Sequence, residues 1–216
     1  WRHGSQLFYA PTEGSEDTHE DIDPLAELGF EQSLDHPKGV SAIVGAKLLT
    51  MDSERSLDGV IEDGTILWDG NRIVQVGQRS EVEIPQGANV IDGKGLTVMP
   101  GLVDVHFHGG QASDGILPQQ NWINLSALSF GVTTVHDPSN NTEMVFSASE
   151  LQRSGDILGP RIFSTGTIIY GAKGRGYFAE VNSLDDALEH IAQRKGAGAF
   201  TVKSYNQPRR DQRQQL

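Results

Sequence analysis

The chain has no cysteine in its 216 residues, which excludes disulfide bonds and thiolate metal sites. It also has no apolar run near the roughly 20 residues of a membrane span. Basic residues are few, since 17 Lys and Arg against 29 Asp and Glu give a net charge of −12. The short cluster Arg209, Arg210 and Arg213 is interrupted by Asp211. We therefore expect no nucleic-acid partner and no membrane partner, and leave open whether the protein is cytoplasmic or periplasmic.

Residues 1–39 differ in composition from the rest of the chain. The segment Glu13–Asp23 is acidic and nearly free of apolar residues, which favours a solvated linker. Its carboxylates lack the glycine and the terminal glutamate of an EF-hand calcium loop. We predict that residues 1–39 are an acidic linker or the tail of a preceding domain. Because the chain opens at Trp1 rather than at a methionine, we expect it to be part of a longer polypeptide.

Residues 40–99 are rich in strands and turns. The apolar segments Thr65–Trp68 and Arg72–Val76 flank Asp69-Gly70, and an Asp-Gly turn between two apolar strands indicates a β-hairpin. Further short apolar segments, such as Val90–Asp92, continue the pattern. We predict a small antiparallel β-sandwich domain over residues 40–99.

From Pro100 onward, strand-like and helix-like segments alternate. In chain order we predict strand Gly101–His108, helix Asn121–Phe130, strand Gly131–His136, helix Thr142–Arg153, strand Arg161–Ile169, a helix from Ser183 to Gly196, and strand Ala199–Tyr205. Four strands joined by helical crossovers imply a parallel sheet. The predicted fold class is therefore α/β.

Three of these predicted helices carry an apolar stripe at helical spacing. In the helix Thr142–Arg153 the stripe is Met144, Val145, Ala148 and Leu151. In the helix Asn121–Phe130 the stripe is Trp122, Leu125 and Leu128. In the helix that begins at Ser183 the stripe is Leu184, Ala187, Leu188 and Ile191. This spacing indicates helices.

The first strand after Pro100 carries two histidines. Side chains alternate along a strand, so Asp104, His106 and His108 would share one face. Both faces of a helix-covered parallel sheet are normally apolar, and two imidazoles two residues apart can converge on one metal ion. The alternative is a pair of unrelated, hydrogen-bonded histidines.

The surroundings of these histidines resemble a known family. The segment Met99–Gly110 reads MPGLVDVHFHGG and resembles the Pro-Gly-[LIF]-[IV]-Asp-x-His-x-His signature of the amidohydrolase superfamily. The segments Gly64–Gly77 and Val90–Gly95 resemble the lead-in to that signature. Gly131–Asp137 is similar to the second barrel strand of the imidazolonepropionase- and prolidase-like branch. The likeness covers residues 40–216, and the chain most resembles the amidohydrolases fused to a TolB-type β-propeller.

The resemblance implies a (β/α)8 barrel of the TIM type beside the β-sandwich, with metal at the carboxyl-terminal mouth of the barrel. Residues 100–216 would be the N-terminal half of that barrel, about its first four β/α units. His106 and His108 match the metal ligands of the first strand. The implied cofactor is Zn²⁺ or another divalent metal, as one ion or two.

Lys203 matches, by the same resemblance, a lysine that many members carboxylate to bridge two metals. On the predicted fourth strand, Thr201, Lys203 and Tyr205 share a face, and a buried amine there is costly unless it is neutralised or paired. Carbamate formation would convert the amine into an anionic oxygen ligand. The alternatives are an ion pair with Asp104 or Asp137, or an extension of the side chain to solvent.

Three further residues are candidates for contact with the substrate. His136 and Asp137 end the second strand, although a turn or helix-cap role before Pro138 is an alternative for Asp137. Tyr170 opens the glycine-rich segment Tyr170–Tyr177, whose spacing is not that of a nucleotide-binding loop. We predict that this loop lines the substrate pocket, because the loops after barrel strands form that wall.

The function that the resemblance implies is hydrolysis of a C–N bond in an amide, cyclic amide or dipeptide-like small molecule by a metal-activated water. No catalytic residue is assignable within this chain. The general-base Asp of strand eight and the His ligands of strands five and six are expected beyond Leu216, so the chain alone is predicted to be inactive. Alternatives are a non-catalytic scaffold on the same fold and a propeller-linked binding module. A homo-oligomer is left open.

Overall fold

The computed structural model describes residues 2–3, 6–9, 23–52, 59–171 and 178–215, and it is mixed α/β as predicted. The chain divides into two compact units, one of residues 35–102 and one of residues 1–34 together with 103–216. Each unit has apolar clusters of its own. In the described part of the chain, no helix has the length and hydropathy needed to cross a membrane.

The N-terminal residues form a small antiparallel sheet. Its strands are β1 (Arg2–His3), β2 (Gln6–Leu7) and β3 (Ala26–Glu27). The backbone N–H of Leu25 donates to the carbonyl of Leu7 at 2.7 Å. Most of the acidic segment, residues 10–22, lies outside the described residues. The extent of the linker therefore stays a prediction.

The unit of residues 35–102 is built on one five-stranded sheet. The strands are β4 (Val40–Leu49), β5 (Val60–Asp69), β6 (Arg72–Gln78), β7 (Asn89–Asp92) and β8 (Thr97–Val98). The predicted hairpin is confirmed, because β5 and β6 pair antiparallel up to Asp69 opposite Arg72, with Gly70 at a φ of 55°. The buried side chains of Ala42, Leu67 and Val82 form the core of this unit.

The prediction that these strands are all antiparallel is wrong. β4 pairs antiparallel with β5, but both β7 and β8 run parallel to it, in the order β6-β5-β4-β7 with β8 also on β4. The reason is topological: after β6 the chain crosses to the far side of β4, and a local turn signal does not report which edge a later strand joins. The described residues of this unit form a single mixed sheet.

The second unit alternates strands and helices. Strands β9 (Leu102–Asp104), β10 (Val132–Asp137) and β11 (Arg161–Ser164) form one sheet in the order β11-β10-β9. β10 and β11 pair parallel, as predicted. Helix α1 (Trp122–Ser129) precedes β10, and helix α2 (Thr142–Ser154) precedes β11. Val135, Val145, Ala148, Ile157 and Ile162 form the buried core between α2 and the sheet.

Each long helix starts at a polar cap. The Asn121 and Asn141 side chains accept hydrogen bonds from the first backbone N–H groups of α1 and α2. Helix α3 (Leu184–Ala197) starts at Ser183, which forms a capping box with Asp186. Burial lowers the pKa of Arg194 in its last turn, where the guanidinium donates to the carbonyl oxygens of Thr167 and His190, each at 2.7 Å.

The predicted end of the third helix is wrong in detail. Helix α3 continues through Gly196 and ends at Gly198, because Gly198 adopts the left-handed conformation with a φ of 110° that closes the helix. The apolar stripes of the helices are buried to different degrees, since Val145 and Ala148 of α2 are buried. Trp122 of α1 is 74% exposed, and Leu184 and Leu188 of α3 are 51% and 57% exposed. Asn124 is instead the buried residue of α1, since its side chain pairs with the buried Gln111.

The predicted third strand is interrupted, and the predicted fourth strand is wrong. Strand β12 (Ile168–Ile169) follows a break at Gly166 and pairs parallel with β13 (Phe178–Ala179). In Ala199–Tyr205 the structure shows one parallel bridge, between Ile169 and Ser204. A strand is defined by a paired neighbour, and this segment pairs with β12 at one residue only. The short helix α4 (Arg210–Gln215) ends the described chain.

Candidate functional site

His106 and His108 lie together just beyond the end of β9. Their ring centroids are 4.9 Å apart and the rings are nearly perpendicular. The predicted mechanism of this convergence is wrong, however, because the strand ends at Asp104 and the chain turns at Val105 and His106. The Asp104 carboxylate accepts a hydrogen bond from the backbone N–H of His106 at 2.9 Å, which stabilises the turn. A turn, and not strand pleating, therefore brings the imidazoles together.

The Nδ1 atom of His108 faces the residues that follow β10. The hydroxyl of Ser139 lies 3.3 Å from it, and Oδ1 of Asp137 lies 3.8 Å from it. The Asp137 side chain is only 1% exposed, whereas that of His108 is 52% exposed. A polar partner on one ring nitrogen fixes the orientation of an imidazole and leaves the other nitrogen for a ligand. The Nδ1 atom of His108 thus faces Ser139 and Asp137, which leaves Nε2 as the ring nitrogen for a metal ligand bond.

Asp137 is a buried carboxyl held by hydrogen bonds. Burial raises its pKa above the ordinary value, while donation from the Ser139 backbone, donation from the Asn140 amide and the nearby imidazoles of His108 and His136 oppose that rise. The bond from the Ser139 N–H is 2.9 Å long. Asp137 therefore has the turn role that the sequence analysis left open for it. The alternative role as a helix cap is wrong, because Asn141 caps α2.

His136 points to the opposite face of β10. Strand alternation places Val135 and Asp137 on the helix side, where both are buried, so His136 is on the other side with Thr134. Its Nε2 lies 2.8 Å from the hydroxyl of Thr201, and its ring contacts that of Phe200 at 5.7 Å between centroids. No contact in the described part of the chain joins its ring to those of His106 and His108.

Lys203 and Tyr170 belong to a different group, an aromatic cluster of Tyr170, Phe178 and Tyr205. The ring centroids in this cluster are 5.6 to 6.2 Å apart. The ammonium of Lys203 lies 5.3 Å from the centroid of Tyr205, a cation–π distance. Among the described residues, no ion pair within 4 Å joins Lys203 to a carboxylate, so neither predicted pairing, with Asp104 or with Asp137, is formed.

The glycine-rich loop is anchored at its start by two buried glutamines. The carbonyl oxygen of the Gln207 side chain accepts from the Gly171 N–H at 2.6 Å, and the Gln212 amide donates to the Gly171 carbonyl at 2.7 Å. A Cβ at position 171 would overlap the end of the Gln212 side chain, so a larger residue there would displace the amide that holds Gly171. Residues 172–177, to which the pocket-lining prediction mainly applies, lie outside the described residues.

The two imidazoles fit part of a metal site. Imidazole is a preferred ligand of zinc, and His106 and His108 are adjacent and more exposed than the buried core. Within residues 2–3, 6–9, 23–52, 59–171 and 178–215, however, no group of three or more His, Cys, Asp or Glu could hold an ion. The residues therefore supply two donors of a metal shell that normally needs at least three from the protein.

The histidine loop is the segment of residues 105–110 that follows β9. Sequence reasoning missed the amide side chains that surround this loop. Asn140 donates to the carbonyl of Gly109 at 3.1 Å, and Asn121 donates to that of Gly110 at 2.8 Å. Gln111 donates to Gly109 at 3.4 Å. The available signal was the polar run Asp-Pro-Ser-Asn-Asn directly after a strand of a parallel sheet, a position where sites are usually found.

Known proteins match parts of this chain. No family model matches the chain. The 5-methylthioadenosine/S-adenosylhomocysteine deaminase of Pelotomaculum thermopropionicum is 45% identical over 69 residues, which are 31% of this chain and 15% of the deaminase. Imidazolonepropionase of Alkaliphilus metalliredigens is 41% identical over 70 residues, which are 30% of this chain and 17% of that enzyme.

A solved structure extends the likeness over most of the chain. A prolidase complexed with N-methylphosphonate-L-proline matches with a TM-score of 0.57 and 26% identity, over 77% of this chain and 46% of the prolidase chain. The matches thus span less than half the length of each of these relatives. These relatives, a deaminase, an imidazolonepropionase and a prolidase, support the resemblance of this chain to part of an amidohydrolase-superfamily protein.

Proposed function

We propose that the polypeptide containing this chain is a metal-dependent hydrolase of C–N bonds in an amide, cyclic amide or dipeptide-like small molecule. One observation carries the proposal: the His106 and His108 rings are 4.9 Å apart directly after β9. The matched relatives support it, since they include a deaminase, an imidazolonepropionase and a prolidase. They are enzymes, so a non-catalytic scaffold is not favoured.

The proposal includes a domain organisation. Residues 100–216 would be the first part of a (β/α)8 barrel, with residues 40–99 contributing to a β-sandwich and residues 1–39 a linker after a preceding domain. The ordered sheet of β9, β10 and β11 with α1 and α2 between its strands supports the barrel. A barrel of this type places its site at the carboxyl ends of the strands, which is where His106, His108 and Asp137 lie.

In this proposal His106 and His108 would hold a divalent metal, Zn²⁺ being the expected one. Members of the superfamily generally use divalent metals. When bound, such a metal acidifies a water and polarises the substrate carbonyl. Ser139 and Asp137 orient His108 by facing its Nδ1. His136 and Tyr170 would contact the substrate, whereas the buried Asp137, also predicted as a substrate contact, would act through His108. Further ligands and the general base would come from outside this chain.

Lys203 would join the site only in carboxylated form. As an ammonium it lies against the Tyr205 ring, whose face attracts cations. A carbamate is an anion, so carboxylation would abolish this attraction and release the side chain. We therefore expect Lys203 to change partner between the two forms.

The test is metal content and hydrolysis of Xaa-Pro dipeptides and cyclic amides by the complete polypeptide. We expect about one or two zinc ions per chain, and we expect His106→Asn and His108→Asn to abolish both properties. His36→Asn, in the unit of residues 35–102, is the matched control and should change neither. Wild-type metal content in both histidine variants would overturn the proposal.

A further inference from the structure

The loops that follow β9, β10 and β11 meet at the side chain and backbone of one residue, Asn140. Its Nδ2 donates to the carbonyl of Gly109 at 3.1 Å and to Oδ2 of Asp137 at 2.8 Å. Its backbone N–H donates to the carbonyl of Gly166 at 3.2 Å. Gly109 follows His108, Asp137 ends β10, and Gly166 follows β11. A single residue thus joins the carboxyl ends of three strands.

Hydrogen-bond geometry explains why this residue is an asparagine. The amide nitrogen has two hydrogens, and both of its acceptors, Gly109 O and Asp137 Oδ2, are oxygens. The amide oxygen accepts from the backbone N–H of Asn141 at 2.8 Å. An aspartate would keep that acceptor but would place a carboxylate oxygen against two oxygens, one of them on a buried carboxyl.

These contacts act on His108 from two directions. The bond to Gly109 fixes the backbone next to His108, and the bond to Asp137 fixes the carboxyl that lies 3.8 Å from Nδ1 of His108. We propose that Asn140 is the positioning residue of the histidine pair, holding His108 with Nε2 directed to the ligand. The inference rests on the proposed metal site, and it names the residue that fixes the orientation of His108 in that site.

Another amide gives a comparison within the same loop. Asn121 donates to the Gly110 carbonyl at 2.8 Å and caps α1 through its side-chain oxygen. Among the described residues no hydrogen bond joins Asn121 to Asp137, so Asn121 stabilises the loop without fixing the carboxyl that faces His108. Asn121→Asp keeps the cap and loses the donor, which makes it a control for general loosening of the loop.

The test measures zinc affinity by competition with a chromophoric chelator in the complete polypeptide, for wild type, Asn140→Asp, Asn140→Ala and Asn121→Asp. Asn182→Asp, at an exposed position outside the site, controls for added charge. Loss of a residue that supports a metal ligand typically weakens metal affinity about 10- to 100-fold. We expect that loss in both Asn140 variants and less than about a threefold change in both controls.

A second readout is independent of the metal. In the metal-free protein, nitrogen-15 shifts of the labelled imidazoles report the tautomer of His108. Wild type should show one tautomer protonated at Nδ1, and both Asn140 variants should show a mixture. Because Asn140→Ala adds no charge, it tests the same role if Asn140→Asp does not fold.

The outcomes separate this inference from the proposed function. If His106→Asn and His108→Asn leave wild-type zinc affinity unchanged, the metal site itself is wrong. If those variants abolish binding while Asn140→Ala binds as tightly as wild type and keeps one His108 tautomer, the positioning role is wrong. An equal loss of affinity in Asn121→Asp would also overturn it, since general loosening would then explain the effect.

Discussion

The five-stranded sheet of residues 35–102 and the strand-end site of the other unit are held by different kinds of bonds. In the sheet, β4 and β5 pair through a backbone ladder that runs from Val40 opposite Asp69 to Leu49 opposite Val60. At the site, side chains bridge loops that do not pair, as Asn140 does between Gly109 and Asp137. A ladder tolerates most side chains, whereas a bridge depends on the chemical identity of one residue. The site is therefore expected to be the more sensitive of the two to conservative substitutions.

The largest expected effect on stability comes from the core beneath the site. Ile162 is 3% exposed and packs with Val135 and Val145. Ile162→Ala should lower the free energy of unfolding by about 2–5 kcal/mol, because it leaves a cavity in a packed core. Urea denaturation measures the change. Leu158→Ala is the control, since Leu158 is 61% exposed and its loss should cost less than about 0.5 kcal/mol. Equal effects would show that this cluster does not stabilise the unit.

Alanine substitutions at the two neighbouring glycines of the histidine loop should have different effects on stability and on zinc binding. A Cβ at Gly109 would overlap the ring of Phe107, which packs against the core, whereas a Cβ at Gly110 would meet nothing within 4 Å. Gly109→Ala should therefore cost about 1–3 kcal/mol, from overpacking, and weaken zinc binding. Gly110→Ala should do neither. Thermal denaturation and zinc titration of both variants test this, and indistinguishable variants would contradict the loop geometry.

The smallest expected effect is at the start of α3, far from the histidine loop in sequence. Ser183 and Asp186 form a reciprocal capping box, and loss of a cap by Ser183→Ala should cost about 1 kcal/mol. Urea unfolding should detect this change. Zinc affinity should not change, and a loss of zinc binding would show that the cap and the site are coupled.

The capping box of Ser183 and Asp186 also predicts that the stability of the protein depends on pH. Backbone donation from Asn182, with the Ser183 bonds, lowers the pKa of Asp186 below its ordinary value in the folded state. A lowered folded-state pKa gives stability that is present above the unfolded-state pKa and is lost as pH falls through the folded-state pKa. Unfolding measured between about pH 5 and pH 2 should therefore show a smaller acid destabilisation in Asp186→Asn than in wild type. Identical pH profiles would contradict the contribution of the box.

The parts of the fold that depend on local signals could be predicted from the sequence. The Asp69-Gly70 turn requires only its own residues and flanking strands, and the caps at Asn121 and Ser183 act within one turn of helix. The end of α3 was placed at Gly196, because either Gly196 or Gly198 can adopt the left-handed conformation; the structure has it at Gly198. The parallel pairing of β7 with β4 depends on a crossover that no local pattern encodes.

The site could be predicted in part. The His-x-His spacing identified the correct pair, although a turn after Asp104 and not the pleat of a strand brings the rings together. Asn140 could not be identified, because its role requires Gly109, Asp137 and Gly166 to meet, and these are up to 57 positions apart in the chain (166 − 109). The contact of Lys203 with Tyr205 is local, because the two residues are neighbours on the face that the sequence predicted.

Zinc-edge anomalous diffraction from crystals of the complete polypeptide tests the central claim most directly. We predict an anomalous peak within bonding distance, about 2.0–2.1 Å, of one imidazole nitrogen from each of His106 and His108. A zinc-loaded protein with its ion elsewhere, or with no ion between these two rings, would contradict the account.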